Sequence, residues 1–345
     1  MPEVPLTLTL SPQSRGEGTR QQQKPAPLPT ASSSPHAEQI AGFIDPATLM
    51  HLKSLELRAR HVVEGFMTGL NRSPYHGFSV EFTEYRQYTQ GDDLRHLDWK
   101  LFARSDRYYI KRFEDETNLR CLLLLDDSRS MNFGSRGYSK SEYARTLAAT
   151  LGYFLNTQRD AVGLAKFASE IDDYIPPRYR VGHLRRILVS LERTAEGSST
   201  HLSKPLEQIA ERLNRRGILV LISDLLAPLE TLELSLGALA ARGQEVVVFH
   251  VLDPEELRFE FTAPEMFEDL ESKDRLYVDP VSIRSDYLKR FGKHLEAVEA
   301  ICARLGLTYH RLPTDSPLEL ALPEIVRVRM QMRGNSRTRL ARRGR

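Results

Sequence analysis

Two apolar runs organise the chain. Cys121 to Leu125 and Ile218 to Ile222 are unbroken, and each ends in polar turn formers, as L-L-L-L-D-D-S-R-S-M and I-L-V-L-I-S-D. Continuous apolar runs of this length are the pattern of strands buried on both faces of a parallel sheet. Around them, apolar positions recur at helical spacing. Ala144, Leu147, Ala148, Leu151 and Leu155 share a face over 142–157; Leu184, Ile187, Leu188 and Leu191 do so over 181–193. Leu202, Leu206, Ile209 and Leu213 mark a helix over 202–214, and Leu229, Leu232, Leu236 and Leu239 one over 229–242. Further strands are expected at 162–168, 245–251 and 307–312, with a long helix at 281–305 and a closing helix. Alternation of this kind predicts an α/β fold, a mostly parallel sheet with helices on both faces.

The flanks read differently. Residues 1–40 are rich in Pro, Ser, Gln and Thr and are expected to be a disordered tail, because too little apolar surface is available to offset the ordering entropy. Asp45-Pro46 is an N-cap followed by Pro at the first helical position, ahead of a loosely helical stretch from Leu49 to Leu70. Alternation at Phe78, Val80 and Phe82, and again at Tyr108, Ile110 and Phe113, predicts short strands over 76–115. Residues 254–280 are acidic and aromatic, and a small hairpin excursion packed against 76–115 is expected there. The end, R-G-N-S-R-T-R-L-A-R-R-G-R, is polybasic and expected to be disordered. The expected division is therefore a tail at 1–40, a helix-and-strand module at 41–118, an α/β domain at 119–332 and a basic tail at 333–345.

Composition changes little in this picture. With 345 residues, 41% hydrophobic and 27% charged, the chain has material for a sizeable core, and a net charge of +2 points to no particular partner. Cys121 and Cys302 both lie in apolar stretches and read as buried thiols. No apolar run approaches the ~20 residues that span a bilayer. The first residues show no apolar signal core, so the cytoplasm is the expected compartment.

The chemistry concentrates where the first strand ends. In an extended segment residues i, i+2 and i+4 point to one side, so Asp126, Ser128 and Ser130 emerge together at the carboxyl end of a central strand. Open α/β sheets place their ligands there. A carboxylate and two hydroxyls are hard oxygen donors, suited to Mg²⁺. Thr200, in G-S-S-T-H-L, and Asp224, closing the second strand, extend the same donor set. The alternative is that Ser128 and Ser130 only cap the following turn. Asp127 is expected to face the other way and stay solvated. His201 follows Thr200, but imidazole is a poor Mg²⁺ ligand; His96 and His183 stand isolated.

Asp126-x-Ser128-x-Ser130, Thr200 and Asp224 together resemble the metal-ion-dependent adhesion site of von Willebrand factor A domains. A second stretch, Glu81 to Ser105, resembles the signature of a bacterial family of von Willebrand factor A-like proteins often encoded beside MoxR-type AAA+ ATPases. The matching residues are Glu81-Phe82, Arg86, Tyr88, Gly91-Asp92-Asp93, Arg95, Asp98-Trp99 and Ala103-Arg104. Leu252-Asp253-Pro254-Glu255 and Thr314-Asp315 fit as well, so the similarity spans residues 45–330. The resemblance implies a von Willebrand factor A-like, Rossmann-like fold with Asp126, Ser128, Ser130, Thr200 and Asp224 around Mg²⁺ or Mn²⁺. It implies a metal-dependent protein-binding adaptor, not an enzyme, whose partner supplies an acidic ligand and is a MoxR-type ATPase or its client. Many relatives carry N-terminal transmembrane helices where this chain has a polar stretch. The Arg- and Asp-rich 81–105 segment reads as a salt-bridged structural knot or as a docking surface.

Two other function classes are open to these residues. Acidic strand ends also occur in Mg²⁺-dependent phosphoryl-transfer enzymes, but the aspartyl-nucleophile pattern needs a second Asp where Ser128 stands, and no G-x-x-x-x-G-K-[ST] loop is present. The arginines from Arg333 to Arg345 offer sequence-independent attraction to nucleic-acid phosphates, although no aromatic-studded basic face accompanies them.

Overall fold

The computed structural model describes residues 10–12, 43–72, 84–87, 102, 108–112, 119–193, 202–213, 215–269 and 275–343. The chain divides into two compact units, residues 1–66 with 119–345, and residues 67–118. It begins with β1 (Leu10–Pro12), α1 (Pro46–Met50), α2 (Leu55–Arg72), β2 (Glu84–Gln87) and β3 (Tyr109–Arg112). In the smaller unit β2 and β3 pair antiparallel, Arg86 opposite Ile110, and the rings of Phe102 and Tyr108 stack at 4.4 Å. Most of the Glu81–Ser105 signature, Trp99 included, lies outside the described residues.

The larger unit continues with β4 (Arg120–Asp126), α3 (Lys140–Thr157), β5 (Ala161–Phe167), β6 (Ile171–Arg178), α4 (His183–Glu192) and α5 (Ser203–Arg212). There follow β7 (Ile218–Ser223), α6 (Leu229–Ala241), β8 (Glu245–Leu252), α7 (Pro254–Arg258), β9 (Glu265–Asp269) and β10 (Arg275–Val278). The chain closes with α8 (Pro280–Arg304), β11 (Thr308–Pro313) and α9 (Leu322–Arg343). Six strands form one sheet in the order β11-β8-β7-β4-β5-β6, parallel except for β6, which runs antiparallel on the edge beside β5.

Alternation along the strands decides which face meets which helix. Leu122, Leu124, Leu219, Leu221, Val246 and Val248 share one core with Leu206 and Ile209 of α5, Leu232 and Leu236 of α6, and Val298 and Ile301 of α8. On the opposite face, a Cβ at Gly152 of α3 would lie 3.7 Å from both Leu123 and Leu184 of α4, so the three elements come together there. Both apolar faces are thus covered, and each fully buried Leu, Ile or Val contributes about 1.5–3 kcal/mol. The fold is α/β, a mostly parallel sheet between two helical layers, as the alternation predicts.

Chain order reverses at β4. From β4 the chain passes to β5 on one side, and from β7 to β8 on the other. Neighbouring carboxyl ends at such a switch point leave a crevice between diverging connections. Here it opens between Asp126 and Ser223, beyond the paired Leu125 and Ile222.

Several expectations need correction. Edge strand β6 goes unpredicted because Pro176-Pro177 interrupt any strand pattern; prolines are tolerated only on an edge. Gly163 on β5 admits them, since a Cβ there would lie 2.6 Å from both Ile175 O and Pro177 N. The stretch from Leu49 to Leu70 is not one helix. α1 ends because the Arg58 guanidinium takes the carbonyls of Met50 (2.7 Å) and Leu52 (2.6 Å), while Asp45 caps its start as expected. Leu10–Pro12 pairs with β9, which also forms the expected hairpin with β10. The closing helix, α9, runs from Leu322 to Arg343.

Candidate functional site

Asp126 is the last residue of β4 and is fully buried. Its carboxylate accepts from Ser128 N at 3.0 Å and from the Ser223 hydroxyl, at the end of β7, at 2.6 Å. The chain after it stays extended to Ser128 (φ −67°, ψ 163°) before a 3₁₀ turn at Arg129–Asn132. Extended backbone places Ser128, and the 3₁₀ turn that contains Ser130 brings the second side chain beside it, so that their hydroxyl oxygens lie 3.0 Å apart. Ser128 sits at the N-cap of that turn, but its hydroxyl makes no capping bond, which sets aside the simple capping role. The Ser130 hydroxyl bonds to the Asp224 carboxylate, also fully buried, just beyond β7. The fold therefore assembles Asp126, Ser128, Ser130 and Asp224. Thr200 lies outside the described residues, as does His201.

The two carboxylates are held in different states. Burial, reinforced by the negative charge of Asp224, pushes the Asp126 carboxyl up to about 7, although Ser223 and Ser128 donate to it. Burial acts on Asp224 in the same direction, but the Lys140 ammonium outweighs it and lowers that pKa. Like charges sharing a dry site part in this way.

Sequence reasoning missed Lys140. It opens α3 behind the Ser139 cap, and its side chain runs inward, fully buried. The ammonium stands 2.9 Å from Asp224 Oδ2 and 2.6 Å from Glu256 Oε1. Burial disfavours its charge, yet the two carboxylates raise its pKa and keep it protonated. Glu256 is the third residue of α7; its other oxygen accepts from Asp253 N at 2.8 Å, closing a capping box. The only hint in the sequence was the cap-like pattern of Asp253-Pro254-Glu255-Glu256.

Asp127 faces the other way, as expected, but is not solvated. It is 4% exposed and pairs with Lys166 of β5 at 2.8 Å, with Arg145 at 3.9 Å. Because β4 is interior to the sheet, both sides of its end are enclosed.

The backbone after β7 is held from behind. Leu225 adopts φ 50°, a strained left-handed value for a side chain of its kind, and its N–H bonds to Ser223 Oγ at 3.0 Å. His250 Nε2 donates to Asp224 O at 2.7 Å and His294 Nε2 to Leu225 O at 3.1 Å. Burial pushes His250 down to about 3 and also lowers His294, so both rings are neutral brackets. His183 is a core histidine on Val162 O, and both cysteines are free and buried.

The loop from Phe133 to Ser139 closes one flank. Asp253 accepts from Ser135 N at 2.9 Å and from its hydroxyl at 2.5 Å, and Tyr138 donates to Thr314 O at 2.8 Å. Asp315 pairs with Arg136 at 3.4 Å and Arg258 at 3.7 Å. The outlying elements Leu252-Asp253-Pro254-Glu255 and Thr314-Asp315 thus anchor the loop that follows the Asp-Ser-Ser residues.

Among the described residues, no group of three or more His, Cys, Asp or Glu side chains is arranged to hold a metal ion, the site's remaining donors being hydroxyls. No helix among the described residues is long and apolar enough to cross a membrane.

The model of a family described as "Protein of unknown function DUF58" matches residues 84–297. An uncharacterized protein of Mycobacterium tuberculosis (strain H37Rv) is 27% identical over 276 residues, covering 79% of this chain and 86% of that one. An uncharacterized Mycobacterium avium protein is 29% identical over 133 residues, 38% of this chain and 78% of that one. Among solved structures, the conserved hypothetical protein BatB from Bacteroides thetaiotaomicron aligns with TM-score 0.40 and 16% identity, over 61% of this chain and 99% of that one. An aerotolerance-related membrane protein from Bacteroides fragilis aligns with TM-score 0.43 and 16% identity, over 61% and 97%.

Proposed function

Since the chain belongs to the DUF58 family of proteins of unknown function, we propose that it is a metal-dependent protein-binding adaptor whose working surface is the crevice at the carboxyl ends of β4 and β7. One observation carries this reading. Two hydroxyls 3.0 Å apart, free of capping duty, stand between two buried carboxylates at the switch point of a parallel sheet. Ser128, Ser130 and Thr200 would supply neutral oxygens to Mg²⁺ or Mn²⁺, and Asp126 and Asp224 would supply charged ones. Hard donors of this kind fit a small hard cation. Burial first and the charge of Asp224 second raise the Asp126 carboxyl, and a divalent cation would offset both by favouring its ionised form.

A metal held largely by neutral hydroxyls supplies an electrophilic centre, and the group that best completes it is a carboxylate from another protein. The residues around it orient: Ser223 and Ser128 N hold Asp126, His250 and His294 hold the backbone of Asp224 and Leu225, and Asp253 holds the flanking loop. Both histidines are committed to backbone carbonyls, so neither acts as an imidazole base on Asp126. A MoxR-type AAA+ ATPase or its client, met in the cytoplasm, is the partner we propose, on the strength of the Glu81–Ser105 resemblance alone.

The test is capture from lysate of the source cell by wild type and Asp126→Ala, each with Mg²⁺ and with EDTA. An AAA+ ATPase or its client retained only by wild type with metal is the expected result. Equal capture in all four conditions refutes the reading. Phosphate release from phosphoesters, lost in Asp126→Asn, would replace it with a phosphoryl-transfer enzyme.

A further inference from the structure

We propose that Lys140 is a built-in counter-cation of this site: its ammonium holds Asp224 when no divalent ion is bound, competes with the incoming ion, and so sets how tightly the site takes metal. The inference rests on the metal reading above and adds its regulation.

Lysine is almost never fully buried unless its charge is matched. Lys140 is fully buried and bridges two carboxylates, at 2.9 Å to Asp224 and 2.6 Å to Glu256. They differ in kind. Asp224 belongs to the candidate ligand set and bonds to Ser130. Glu256 does not; its second oxygen is locked by Asp253 N in the capping box of α7. The ammonium therefore has a permanent partner and a conditional one. When Asp224 turns to a metal, the charge of Lys140 remains matched by Glu256. When the metal leaves, Asp224 is not stranded in a dry site.

The charges agree with this. Asp126, Asp224 and Glu256, fully ionised, carry three negative charges, and Lys140 returns one, leaving the charge of a single divalent cation to be matched. A residue needed only for packing would not have to be charged. One needed only to cap α7 would have no reason to reach Asp224, 84 positions away in the chain.

The substitutions have opposite signs. Lys140→Met removes a positive charge beside a ligand and frees Asp224, so metal binding tightens. Glu256→Gln removes a negative charge and leaves the ammonium with Asp224 alone, so metal binding weakens. A merely structural lysine would lower thermal stability in both variants without moving the affinity in opposite directions.

The experiment is a Mn²⁺ titration of the full chain followed by electron paramagnetic resonance of the free ion, with thermal melting of each variant in EDTA as the fold control. Asp126→Ala defines the background. Lys140→Met is expected to bind Mn²⁺ at least tenfold more tightly than wild type, and Glu256→Gln at least tenfold more weakly. Should Lys140→Met fail to fold without metal, Lys140→Met/Glu256→Gln removes the ammonium together with one of its carboxylates and is expected still to bind more tightly than wild type. Equal or weaker binding by the lysine variants, with wild type binding normally, overturns the counter-cation role and leaves the metal site standing. Wild type binding no more Mn²⁺ than Asp126→Ala overturns both.

Discussion

Replacing Asp126 by asparagine should stabilise the metal-free protein, and by an amount that depends on pH. Asparagine is nearly isosteric, and both bonds of the carboxylate can be remade. The amide oxygen can accept from Ser128 N, now 3.0 Å from Oδ1, and the amide nitrogen can donate to Ser223 Oγ, now 2.6 Å from Oδ2. What disappears is a buried charge facing Asp224. In the folded chain the Asp126 carboxyl titrates at about 7, against the ordinary 3.8. Between these values the folded state keeps a proton that the unfolded chain has released, so stability falls as pH rises through this window. A difference of about three units corresponds to about 4 kcal/mol, absent below pH ~4 and complete above pH ~7.

His250 drifts the opposite way. Burial lowers its pKa from 6.5 to about 3, so its contribution is lost as pH falls below the unfolded value. The stability of wild type alone is therefore a mixture of the two. The difference between Asp126→Asn and wild type cancels His250, which both proteins carry, and isolates the carboxylate. The assay is urea unfolding of both proteins in EDTA, from pH 4 to pH 8. A gap that opens with pH, reaching a few kcal/mol in favour of asparagine at pH 8, is expected. Added Mg²⁺ should then close or reverse it, because an ion that binds only folded wild type stabilises by about 2.7 kcal/mol at a hundred times its Kd. A gap independent of pH, or an asparagine variant less stable at pH 8, refutes the argument that Asp126 is a buried charge without a cation of its own beside Asp224.

Two further outcomes test the surroundings. Lys166→Met leaves Asp127 buried and charged, its nearest cation gone from 2.8 Å, and should lower stability by about 3 kcal/mol or more in urea unfolding; adding Asp127→Asn should recover much of the loss, and no recovery would mean that Lys166 matters through its bond to Arg193 O instead. Gly163→Ala places a Cβ 2.6 Å from the backbone of Ile175 and Pro177, and should destabilise by about 1–3 kcal/mol with faster amide exchange along β6; an unchanged urea midpoint would show that the edge strand moves aside at no cost.

What could be read from the chain depended on whether a residue's role is set by its own neighbours in sequence. Ile218 to Ser223 was legible to the residue because an unbroken apolar run admits one placement, the middle of a parallel sheet. Asp126 and Ser128 were legible for a related reason, since a strand end and a two-residue period are local facts, whereas Ser130 reaches the same place from within the 3₁₀ turn at Arg129–Asn132. β6 was illegible because Pro176-Pro177 deny a strand unless the position is known to be an edge, and the edge is a property of the whole sheet. Asp127 was misjudged similarly, since its partner Lys166 comes from the neighbouring strand. Lys140 is the extreme case. In S-K-S-E-Y it looks like any solvated lysine in a first helical turn, and its role appears only when Asp224 and Glu256, 84 and 116 positions onward, arrive beside it. A motif of ligands is therefore the part of such a site most easily read from sequence. The charges that decide how tightly those ligands hold an ion are supplied by residues whose own surroundings in the chain are ordinary.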